Sequence, residues 1–116
     1  IYMNNIEKGR LGEKIATEYL KNKGIYIIKN NYKIKFGEID IIAKLEDLIL
    51  FIEVKSRNSN KFGYPAEAVN YKKRSKIINV AKYYMAVNNL ENVQVRFDVI
   101  EIYLKDRKVN HIESAF

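Results

Sequence analysis

The chain predicts an α/β (α+β) domain, a mixed central sheet flanked by helices, in the order α-β-β-β-α-β-β. Three observations carry that reading. Two consecutive runs, Gly37 to Lys44 and Leu48 to Lys55, are rich in β-branched and aromatic residues and bounded by polar ones, as strands are. Both are apolar on both faces, so the sheet they build needs cover on each side. Two segments with helical apolar spacing, one before and one after these runs, can supply the cover.

The first helix is expected over Ile6 to Lys23, with Leu11, Ile15, Ala16, Tyr19 and Leu20 at helical spacing and Gly24 as its stop. Gly12 lowers helix propensity by about 1 kcal/mol relative to alanine, which makes sense if the helix closely approaches a neighbour. Glu13 lies on the stripe of Gly9, Ala16 and Leu20, so an acid points toward the packed side. The alternative places it at the stripe's edge, paired with Arg10 or Lys14.

Ile25 to Ile34 reads as a strand interrupted at Asn30-Asn31. There Lys29, Lys33 and Lys35 interleave with Tyr26, Tyr32 and Phe36, a mixture that suits phosphate contact and base stacking as well as a half-exposed strand. The break Leu45-Glu46-Asp47 is too short for a crossover, so the next two strands form an antiparallel hairpin. With Glu46 and Asp47 as the turn, Leu45 faces Leu48 and Asp40 falls opposite Glu53, on the face shared with Lys55. Facing side chains sit about 5 Å apart at Cβ, where like charges repel. Two carboxylates set among isoleucine, phenylalanine and valine therefore need compensation, from a divalent cation and in part from Lys55.

A polar loop, Ser56 to Tyr64, carries Arg57 and Lys61 and is expected to touch substrate. Pro65 starts a helical turn. The second helix runs from Lys72 to Asn88, with Ile77, Val80, Ala81 and Tyr84 on its apolar face. Lys72, Lys73, Arg74 and Lys76 crowd its first turns, where the macrodipole disfavours cations. The cluster is better explained as a phosphate-binding patch than as a stabilising device, a solvated charged face being the alternative. Val93 to Leu104 forms a strand in which Arg96 and Asp98 share a face and can pair. Asp106-Arg107 turns into a short strand, Lys108 to Ile112, and Ala115-Phe116 packs onto the body. His111, the only histidine, reads as structural.

At 116 residues a single domain, 1–116, is expected. A formal net charge of +7 favours a polyanionic partner, nucleic acid before an acidic membrane. The absence of cysteine excludes a thiol nucleophile, a disulfide framework and a cysteine zinc site. With no apolar run near the roughly 20 residues of a membrane span and no signal peptide, a cytoplasmic protein without membrane association is expected.

An acid, then thirteen positions on an acid-x-lysine triplet, both in strands and preceded by a helix with an inward glutamate, resembles the PD-(D/E)XK core of the restriction-endonuclease-like superfamily. Asp40 matches the first acid and Glu53-Val54-Lys55 the triplet, while Glu13 resembles the helix glutamate of archaeal Holliday-junction resolvases. More closely, the chain from about residue 7 onward resembles the YraN-like family of predicted endonucleases. The stretches that carry the likeness are Gly9-Arg10-Leu11-Gly12-Glu13, Gly37-Glu38-Ile39-Asp40, Phe51 to Arg57, Lys72, Arg96-Phe97-Asp98 and Ala115-Phe116. Two departures stand out: Ile39 replaces the motif's proline, and the following helix offers Lys72 and Lys76 where many such nucleases carry glutamine.

The resemblance implies a Mg²⁺-dependent endonuclease, with Mn²⁺ as the alternative ion, acting on branched or structured DNA and leaving a 5′-phosphate and a 3′-hydroxyl. Asp40, Glu53, Glu13 and the Val54 carbonyl would be the metal's ligands, and Glu13, Asp40, Glu53 and Lys55 the catalytic set. Glu38, on Asp40's face, is a surface acid or a supporting one. Arg57, Lys61, Lys72, Lys73, Arg74 and Lys76 would contact nucleic acid, RNA being the alternative to DNA. Symmetric cutting of a four-way junction would need a homodimer. The competing readings are a nucleic-acid-binding module that cuts nothing and a protein-interaction scaffold.

Overall fold

The computed structural model describes residues 2–58 and 70–116. Helix α1 (Asn5–Asn22) leads into β1 (Tyr26–Ile34), β2 (Gly37–Leu45) and β3 (Leu48–Arg57); α2 (Tyr71–Val87) follows, then β4 (Gln94–Tyr103) and β5 (Lys108–Ile112). The mixed α+β architecture and its order are those the sequence predicts. The expected turn at Pro65 and the loop residues around Lys61 lie outside the described residues.

Local chemistry explains where the helices begin and end. Asn4 caps α1 by accepting from the Glu7 amide at 2.8 Å, and Glu7 reaches back to complete a capping box. Gly24, at φ 80, takes the left-handed turn that ends the helix. Asn70 caps α2 through the Lys73 amide at 2.9 Å.

The five strands lie in sequence order, β1-β2-β3-β4-β5. All neighbours are antiparallel except β3 and β4, which are parallel and so require the long crossover that contains α2. The β2–β3 hairpin turns at Glu46, which adopts φ 53, and its ladder runs from Leu45 opposite Leu48 to Ile41 opposite Ile52. That is the predicted register. In β1 a bulge falls between Ile27 and Lys29, and Asn31, at φ 53, sits between the pairs Asn30–Ile41 and Tyr32–Ile39.

Each face of the sheet has its own core. Against α1 lie Ile41, Leu50, Ile52, Ile100 and Ile102, in contact with Ala16 and Leu20. Against α2 lie Ile42, Ile49, Phe51 and Val99, in contact with Ile77, Val80, Ala81 and Tyr84. Burying each large aliphatic side chain contributes about 1.5–3 kcal/mol, so both helices are held mainly by these stripes. Two glycines mark close approaches. A Cβ on Gly12 would run into the Ser56 hydroxyl, which donates to the Lys8 carbonyl at 3.2 Å. A Cβ on Gly37 would lie 2.7 Å from a Val80 methyl, so β2 enters the sheet directly beneath α2. Phe116 stacks on Phe97 with ring centroids 5.2 Å apart, which seats the Ala115-Phe116 end as expected.

Candidate active site

The β2–β3 ladder stops just where the two expected acids would face each other. Ile41 and Ile52 are the last paired residues. Beyond them the Val54 amide, which would otherwise continue the ladder, donates to the Asp40 carboxylate at 2.8 Å. A side chain thus replaces a backbone acceptor, and the opening draws Asp40 toward β3. Glu53 meets it there. Both residues are buried, each 8% exposed, so strand parity and the ladder's end together place two carboxylates in contact.

Their electrostatics follow from that burial. Glu53 has its pKa pushed up to about 8, first by desolvation and then by its hydrogen bond to, and repulsion from, Asp40. Burial and the neighbouring carboxylate thus both favour the protonated form of Glu53. Lys55, on the same face as Glu53, is lowered from the usual lysine range by burial and by the neighbouring Lys73.

Lys73, expected with Lys72, Arg74 and Lys76 to contact nucleic acid, stands with its partly exposed ammonium 3.4 Å from Glu53 Oε2. Burial works against its charge, but Lys55, Glu53 and Asp40 outweigh that and hold its pKa above the ordinary lysine value. A signal was available: Lys73 lies four residues before Ile77, on the stripe that continues through Val80 and Tyr84.

The other expected site residues separate into groups. Glu13 is raised above the usual carboxylate range by burial and by Asp40, while a hydrogen bond with Asn31 opposes the shift. It makes no ion pair with Arg10 or Lys14 among the described residues; half-buried, it lines an open cleft with them and Asn31, in the field of Asp40. Among the described residues no three carboxylate or imidazole groups come close enough to hold one ion; the expected set of three acids converges as a pair, with Glu13 standing off. Arg57 is committed through Nε to the buried Glu101, at 2.7 Å. Arg74 lies over the Phe116 ring, 5.7 Å from its centroid. Lys72 and Lys76 are exposed, as is Glu38, and Lys61 lies outside the described residues.

Two further buried acids on β4 behave differently. Asp98 accepts from Arg96 at 2.9 Å, from His111 Nε2 at 2.8 Å and from the Ser114 amide at 3.0 Å. Burial opposes its ionisation, yet these donors prevail and hold its pKa below the usual range. His111 Nδ1 in turn meets the Tyr19 hydroxyl at 3.1 Å, so the lone histidine ties β5 to α1. Glu101 is fully buried and takes Arg57, Tyr103 and Asn110.

Hard oxygen donors with a proton to give up suit a hard cation. Mg²⁺ is commonly held by one or two carboxylates, with waters and phosphate oxygens completing its shell. Asp40 and Glu53 supply two carboxylates of that kind.

Comparison with known proteins agrees over nearly the whole chain. Residues 12–102 match the family model of an uncharacterised protein family, UPF0102. A UPF0102 protein of Clostridioides difficile (strain 630) is 60% identical over 114 residues, covering 98% of this chain and 100% of that protein. Relatives from Caldanaerobacter subterraneus, 47% identical, and Thermodesulfovibrio yellowstonii, 50% identical, each cover 98% of this chain and 98% and 99% of themselves. Among the described residues no helix is long and apolar enough to cross a membrane.

Proposed function

The chain belongs to the UPF0102 family, the YraN-like group, and from that premise we propose that it is a Mg²⁺-dependent endonuclease hydrolysing phosphodiester bonds of branched or otherwise structured DNA. The observation that carries the reading is the meeting of Asp40 and Glu53 at the open end of the β2–β3 ladder, with Lys55 and Lys73 against them.

Asp40 and Glu53, with the Val54 carbonyl, would hold the ion. When bound, it lowers the pKa of a coordinated water and shields the scissile phosphate. The chain's own residues supply the rest. The Val54 amide fixes the Asp40 carboxylate from behind. Lys55, its pKa lowered, can exchange a proton closer to neutrality than an exposed lysine, so it orients the attacking water and takes up charge as the reaction proceeds. Lys73 keeps its ammonium in the site. Lys73, 3.4 Å from Glu53, would offer its charge to the substrate phosphate with an ion bound. Glu13, in Asp40's field, holds the edge of the site through Asn31.

The test is a cleavage panel of duplex, single-stranded, flap and four-way-junction DNA, in Mg²⁺ or Mn²⁺, beside Lys55→Ala. Metal-dependent cutting of at least one substrate, lost in the variant, is expected. Binding without turnover on every substrate would instead leave a nucleic-acid-binding module.

A further inference from the structure

An exposed aromatic pair stands at the end of the sheet where β2 begins. Phe36, in the turn before β2, is 53% exposed, and Tyr83 of α2 is 44% exposed. Their rings meet edge to face, with centroids 5.9 Å apart. Apolar residues this open are not serving the core. The core beneath is closed by other aromatics: Tyr84 is buried and packs edge-on against Tyr32 and Phe51. The pair is held in place from below, because Gly37 lets the strand lie against Val80 and the Lys76 carbonyl. Cations outnumber acids around it: Lys33 and Lys35 precede Phe36, Glu38 lies opposite Lys33, and Lys76 lies on α2 beside Gly37, all of them exposed.

Two rulers relate this pair to the carboxylates. Along β2, Phe36 precedes Asp40 by four residues, about 13 Å at strand rise. Along α2, Tyr83 follows Lys73 by ten residues, about 15 Å at helical rise. Strand and helix agree, since both leave the same site and arrive at the same pair. At about 3.4 Å per stacked nucleotide, the gap corresponds to roughly four nucleotides.

We infer that Phe36 and Tyr83 form a stacking platform for an unpaired nucleobase, held about four nucleotides from the phosphodiester that reaches Asp40 and Glu53. The inference rests on the nuclease reading and names its substrate class: a strand with at least one unpaired base beside the cut. The two perpendicular rings brace each other and leave a face open to a base, and the lysines hold the flanking phosphates. A base within a continuous duplex has both its faces covered and cannot use the platform. Sequence preference is expected to be slight, because every base has a π-face.

The test measures binding in EDTA, so that no strand is cut, of single-stranded and duplex oligonucleotides carrying 2-aminopurine. Wild type is compared with Phe36→Ala, Phe36→Trp and Tyr26→Ala. Tyr26 serves as the control, an exposed aromatic at the opposite end of β1. Phe36→Ala should weaken single-strand binding about five- to hundredfold and abolish 2-aminopurine quenching. Phe36→Trp should restore both, and duplex binding should change less than twofold. Unchanged single-strand binding in Phe36→Ala, or an equal loss in Tyr26→Ala, overturns the platform and leaves the nuclease reading standing. Failure of wild type to bind either form overturns both.

Discussion

The sheet buries four acids, and they form two pairs with opposite character. On β4, Asp98 and Glu101 each have at least three hydrogen-bond donors, including an arginine apiece. On the β2–β3 hairpin, Asp40 and Glu53 face each other, with one backbone amide on Asp40 and a lysine 3.4 Å from Glu53. The donors lower Asp98's pKa, whereas burial and Asp40 raise that of Glu53. A buried acid is therefore no indicator of function by itself. What separates the two pairs is how far the fold has already supplied their counter-charge.

Activity should give the widest separation. Lys55→Ala is expected to lower cleavage by about 10²–10⁴-fold, and Asp40→Ala or Glu53→Ala to abolish it. Conservative changes on β4 that keep the fold should leave the rate per folded molecule unchanged. Single-turnover cleavage normalised to the folded fraction checks this.

Stability should reverse the ranking. Asp98→Ala leaves the buried His111 ring and the Ser114 amide without their acceptor and Arg96 with only Glu113, and a loss of about 3 kcal/mol is expected by urea unfolding. Glu101→Gln, which keeps the shape but weakens the Arg57 contact, should cost about 1–3 kcal/mol. Glu53→Gln removes a repulsive contact rather than a supportive one. It should be neutral or stabilising in the absence of metal.

The two pairs should also impose opposite slopes on stability against pH, a smaller effect that unfolding midpoints in EDTA can resolve. Asp98 is depressed in the folded state. Its stabilisation is complete above the ordinary carboxylate range and is lost as pH falls through the folded pKa; Asp98→Asn should flatten that acid limb. Glu53 is raised from 4.5 to about 8, so between those values the folded state holds more protons than the unfolded one. Its contribution is greatest in acid and declines as pH rises through that window, and Glu53→Gln should flatten the decline.

Much of this arrangement is legible in the chain. Helix faces, element order and the Leu45–Leu48 register follow from periodicity and loop length, because an even hairpin loop fixes which side chains share a face. The close approach at Gly12 follows from a glycine that has no other reason to sit in a helix. Parity does not, however, reveal where a ladder ends, so the bond from Val54 to Asp40 could not be read. Nor does a strand pattern identify partners: Glu101 sits between Ile100 and Ile102, and its saturation by Arg57, Tyr103 and Asn110 depends on residues far apart in sequence. Lys73 lay within reach of sequence reasoning. Counting the four cations at the start of α2 as one patch concealed that one of them, one turn before Ile77, stands beside Glu53.

The most direct test is calorimetric titration of Mg²⁺ and Mn²⁺ into the protein and its variants. The account predicts ion binding at one site per chain, lost in Asp40→Asn and Glu53→Gln and retained in Glu101→Gln. Absence of binding in the wild-type chain, or binding that survives loss of both hairpin carboxylates, would contradict it.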